Sequence, residues 1–110
     1  MSLTWPTLRN SKGEIVAFLR DGRVIAQGQG DYYIVDNDIG QQLGGLNVRV
    51  PDLRRIDYVL NVQFYTTPLT NILSHAPMNK KISGNVVGMS LYYIVAGTTL
   101  TIEVIAVGPP

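Results

Sequence analysis

Few side chains in this sequence are suited to chemistry, and their spacing limits what they can do together. Histidine is the common acid–base group near neutral pH, and the chain has one, His75, between Ser74 and Ala76. No Gly-x-Ser-x-Gly elbow offers it a nucleophile, so His75 reads as an exposed loop residue. Glu14 and Glu103 are the only glutamates. A hydrolase built on paired carboxylates would need one of them buried in a cleft, because most of the aspartates occupy turn or cap positions. Asp36-Asn37-Asp38-Ile39-Gly40 resembles the start of a calcium loop, but an EF-hand needs Gly sixth and Glu twelfth. Gln41 and Asn47 stand there instead, so the stretch reads as a turn whose Asp and Asn side chains cap their own backbone. Gly28-Gln29-Gly30 lacks the third glycine and lysine of a phosphate loop. These patterns predict no catalytic residue, no metal site and no cofactor.

Arg49, Arg54 and Arg55, with Lys80 and Lys81, are the basic clusters. Asp52 and Asp57 flank Arg54 and Arg55, which favours local ion pairing. The chain carries 9 basic and 8 acidic residues, a balance unlike the strongly basic face of a nucleic-acid binder. Six tyrosines could stack on sugar rings or bases if several were exposed together. Tyr32-Tyr33 and Tyr92-Tyr93 are adjacent pairs in strand-like sequence, so one of each pair is expected in the core.

The surrounding elements read as β-strands. Charged residues make up 15% of the 110-residue chain and hydrophobic residues 45%, against roughly 25% charged in average soluble domains. So few charges favour burial of surface against a partner or a second copy. Cysteine is absent, which excludes disulfides and thiolate metal sites. No apolar run reaches the ~20 residues of a membrane helix, and Met1 to Asn10 lacks the pattern of a signal peptide. The sequence therefore predicts neither a nucleic-acid nor a membrane partner, and a soluble protein.

Alternation with a period of two dominates. Glu14 to Leu19 and Arg23 to Gln27 form a hairpin around Asp21-Gly22. Gly28-Gln29-Gly30 is expected to break the pattern before Tyr32 to Val35 resumes it, and Gly44-Gly45 to form a turn. Leu46, Val48 and Val50 face the core of a strand that Pro51 ends. Asp52 to Asp57 is the one expected helical turn. Tyr58 to Thr66 is a strand with Leu60, Val62 and Phe64 inward. Thr67 to Lys81 is a long loop, Ile82 to Val95 a long strand bent at Gly84 or Gly88, and Thr99 to Val107 the last strand. There Leu100, Ile102, Val104 and Ala106 share one face, and the other face is also apolar at Ile105 and Val107. The predicted architecture is all-β: one antiparallel sandwich or barrel, with jelly roll among its forms, at residues 14–110. An extended arm precedes it at residues 1–13, in which Leu3, Trp5 and Leu8 surround Pro6.

The arm Met1 to Asn10, the Gly- and Asn-punctuated strands and the ending Leu100 to Pro110 together resemble the small, cysteine-free, β-rich structural proteins of tailed-bacteriophage particles, such as head decoration or cement proteins. The resemblance spans most of the chain and carries no diagnostic motif, so it transfers no functional residue. It implies a non-enzymatic part of a virion that binds a capsid or tail lattice as a homo-oligomer, with other virion structural proteins as partners. The contacts expected are Leu3, Trp5 and Leu8 in the arm, Pro68 and His75 in the long loop, and Ile105 and Val107 in the last strand. The alternative is a carbohydrate- or protein-binding β-sandwich module, which would require exposed tyrosines, or Trp5, gathered on one surface.

Overall fold

The computed structural model describes residues 13–34, 42–67, 78–92 and 97–110. These contain seven strands in two antiparallel sheets: β1 (Gly13–Phe18), β2 (Val24–Tyr33), β3 (Gln42–Arg49), β4 (Tyr58–Thr67), β5 (Met78–Ser83), β6 (Val86–Tyr92) and β7 (Thr99–Gly108). One sheet has the order β1-β2-β7-β4 and the other β3-β6-β5. The fold is all-β, and of the two predicted forms it is the sandwich.

The core is the set of inward residues that alternation selects. Val24, Ala26 and Tyr32 of β2 and Leu100, Ile102, Val104 and Ala106 of β7 face Leu46 and Val48 of β3 and Val87, Met89 and Leu91 of β6, all buried. The β1–β2 turn is fixed by Asp21. Its carboxylate accepts hydrogen bonds from the Arg23 backbone N–H at 3.1 Å and from Arg23 Nε at 2.7 Å. The backbone bond is the main reason its pKa lies below the usual carboxylate range.

Five features depart from the sequence reading. Gly28-Gln29-Gly30 does not break the chain, and β2 runs unbroken through it. The reason lies across the sandwich: a Cβ on Gly28 would collide with the Arg49 carbonyl oxygen and stand 3.0 Å from Val50 Cα. The missing side chain is what allows β3 to lie on β2. Gly44-Gly45 falls within β3, where the register against β6 shifts between Leu43 and Leu46 and Gly45 has φ 70°. Asp52 to Asp57 forms turns and bends rather than a helix. Its amides are taken by distant carbonyls: Arg54 donates to Pro109, Ile56 to Gly84 and Asp57 to Val107, at 2.8–2.9 Å. Leu53 and Ile56 are nevertheless both buried.

Leu60 is not inward. The β4–β7 register shifts between Val59 and Asn61, a bulge that leaves Leu60 50% exposed and directs Val59, Val62 and Phe64 to the core. Finally, the expected strand from Ile82 to Val95 is split. Gly84-Asn85 makes a hairpin, with φ 59° at Gly84, and the end of the expected loop is the strand β5. Residues 68–77 of that loop lie outside the described residues.

Candidate functional site

Two surfaces of the four-stranded sheet stand out: its β1 edge and its outer face. Among the described residues β1 has a neighbour on one side only. Its sequence Ile15-Val16-Ala17-Phe18 is apolar at every position, so apolar groups project from both faces of the strand. The register with β2 shifts between Ile15 and Ala17, placing Val16 at an irregularity. Phe18 stands opposite Val24 in the ladder; Val24 is buried, whereas Phe18 is 79% exposed and Val16 56%. An edge with no second neighbour among the described residues, beside exposed apolar side chains, has the character of a candidate strand-pairing surface. The uninterrupted apolar run was its signal in the sequence, and the expected contact residues did not include it.

The outer face is a grid set by register. Gln29 and Gln63 flank Glu103 across the central strand, Asp31 and Tyr65 flank Thr101, and Tyr33 and Thr67 flank Thr99. Thr101 Oγ1 donates to Asp31 Oδ1 at 2.8 Å, and Gln29 Nε2 donates to the same oxygen at 3.3 Å. Beside the grid lies an open cavity of about 410 Å³, lined among the described residues by Gly13, Glu14, Gln27 and Gln29. At the opposite end, Val107 is flanked by Ile25 and Tyr58. The Arg23 guanidinium lies over the Tyr58 ring, 5.8 Å from its centroid, and pairs with Asp21 at 2.7 Å and Asp57 at 3.7 Å.

Of the expected contact residues, Leu3, Trp5, Leu8, Pro68 and His75 lie outside the described residues. Ile105 is half-buried on the outer face. Val107 is 1% exposed, which corrects its expected role: its side chain, in the ladder between Ile25 and Tyr58, has no surface to offer. The second apolar face at the end of β7 is thus buried at Val107 and half-buried at Ile105.

Glu14 and Glu103 do not share a cleft. Glu14 is exposed opposite Gln27, and Glu103 is half-buried opposite Gln29 on an open sheet. Asp36 and Asp38 lie outside the described residues, and among the described residues no group of three metal-ligating side chains is found. Arg55 pairs with Asp57 at 3.1 Å as expected, whereas Arg54 Nε donates to the Pro110 carbonyl at 2.9 Å. Tyr32 is the buried member of its pair and Tyr33 the exposed one. The Tyr32 hydroxyl accepts from the Asn47 N–H at 2.7 Å and donates to the Asn47 carbonyl. Burial raises its pKa to about 12, opposed by the backbone hydrogen bond.

Among the described residues no helix is long and apolar enough to cross a membrane. No family model, curated protein or solved structure matches the chain.

Proposed function

We propose that this chain is a non-enzymatic assembly subunit, a structural component of a virus particle that joins copies of itself and neighbouring lattice proteins through the β1 edge. The observation that carries this reading is the exposure of Val16 and Phe18 on a strand with no second neighbour among the described residues. An exposed apolar edge strand left free is an aggregation hazard; one covered by a second copy becomes a continuous sheet across the interface. The low charge content points the same way, and the apolar residues Leu3, Trp5 and Leu8 precede β1 in the chain.

Amide hydrogen exchange of β1 over a range of protein concentrations tests this. The reading predicts that the edge amides of β1 gain protection as concentration rises, while β7 amides, paired on both sides, stay protected throughout. Fast exchange at the β1 edge at every concentration would reject it.

A further inference from the structure

We propose that the outer face of the four-stranded sheet is a binding platform for a neutral polysaccharide, a role independent of assembly at the β1 edge. Tyr33 and Tyr65 are both exposed and both on this face, on the strands either side of β7 and one register row apart. Strand spacing and rise place them about 12 Å apart, a span that suits a short oligosaccharide lying across β7. Tyrosine rings present the apolar, quadrupolar surface on which the C–H face of a sugar packs.

Between and beside the rings lie groups that recognise hydroxyls. Gln63 offers an acceptor and two donors, Gln29 an acceptor and the N–H it does not give to Asp31, and Glu103 accepts through both carboxylate oxygens. Bonds to a carboxylate are the stronger, charge-assisted kind. The cavity of about 410 Å³ beside Glu14 and Gln29 falls within the usual range of ligand sites and extends the platform beyond the β2 row.

Charge selects the class of glycan. Glu14, Asp31 and Glu103 give the face three carboxylates. The cation placed on this face among the described residues, Arg23, is at the far end and already paired with Asp21 and Asp57. An acidic polysaccharide is repelled by that arrangement, whereas a neutral one meets acceptors for its hydroxyls. Thr101 and Gln29 both donate to Asp31, which fixes part of the grid before any ligand arrives and lowers the ordering cost of binding.

Affinity electrophoresis in native gels containing laminarin, mannan, xylan or dextran, with alginate as the acidic counterpart, tests the proposal. The full chain should be retarded by at least one neutral polymer and not by alginate. Tyr33→Ala and Tyr65→Ala should each weaken that retardation about tenfold, the loss expected on removing one stacking ring, and leave the circular dichroism unchanged. Phe18→Glu, at the edge, should leave binding intact, which separates this site from the assembly surface. Free migration in every neutral gel, retardation by alginate alone, or retardation unaffected by both tyrosine substitutions would overturn it.

Discussion

Replacing Gly28 with alanine sets two physical effects against each other, and the structure decides the sign. In a strand, alanine is normally favoured over glycine by about 0.5–1 kcal/mol because less backbone entropy is lost on folding. Here the added methyl would overlap the Arg49 carbonyl oxygen and stand 2.9 Å from the Arg49 carbonyl carbon and 3.0 Å from Val50 Cα. All of these atoms are backbone, so no side chain can rotate away. Relief requires β2 and β3 to move apart by about an ångström. That loosens the packing of Leu46, Val48 and Val50, all fully buried. Overpacking of this kind costs about 1–3 kcal/mol and sometimes more. The net expectation for Gly28→Ala is a loss of about 2 kcal/mol, or roughly 10 °C in Tm for a domain of this size. Urea denaturation followed by circular dichroism, with the slope of the transition unchanged, measures it. An unchanged or higher midpoint would refute the close approach of β2 to β3.

Other substitutions probe the core and the bulge. Tyr32→Phe removes the hydroxyl that serves both backbone polar groups of Asn47 and should cost about 1–3 kcal/mol. The same hydroxyl predicts a loss of stability in alkali. The unfolded phenol ionises near pH 10 and the folded one near 12, so its contribution is intact below pH 10 and falls as pH rises towards 12, by an amount on the order of 2 kcal/mol. Tyr32→Phe should flatten that decline; an equally steep one in the variant would contradict it. Leu60→Thr should change stability by less than about 0.5 kcal/mol because the bulge exposes the side chain. Leu100→Ala, in the centre of the core, should cost about 2–5 kcal/mol. Equal losses at the two positions would disprove the register shift in β4.

Strand content and most core positions were legible because alternation alone identifies them. Leu100, Ile102, Val104 and Ala106 share a face in the sequence and are all buried in the fold. The errors arose where tertiary contacts override local signals. Glycines usually end strands, but Gly28 is required within one by the backbone that lies on it. Strict alternation put Leu60 inside, and a one-residue bulge turned it out, since a shift of one position exchanges the faces of a strand. Asp52 to Asp57 has helix-compatible spacing, yet three of its amides are held by carbonyls of two other segments, the β5–β6 hairpin and the end of β7.

The candidate surfaces were less legible. Val107 looked like contact surface because its own strand is apolar on both faces, and nothing local shows that Ile25 and Tyr58 flank it in the ladder. The grouping of Tyr33 with Tyr65 depends on the strand order β2-β7-β4, which alternation does not encode. The β1 edge could have been found, because Ile15-Val16-Ala17-Phe18 is apolar at consecutive positions rather than alternate ones.

The central claim, self-association through β1, is tested most directly by the absolute mass in solution of the wild-type chain and of a Val16→Glu/Phe18→Glu variant. Light scattering on a sizing column across a range of concentrations gives both. The account predicts a multiple of the 12.1 kDa chain mass for the wild type and a folded monomer for the variant, since two buried glutamates would have to shed their hydration at the interface. A wild-type monomer at high concentration, or an oligomer that both chains form equally, would contradict it.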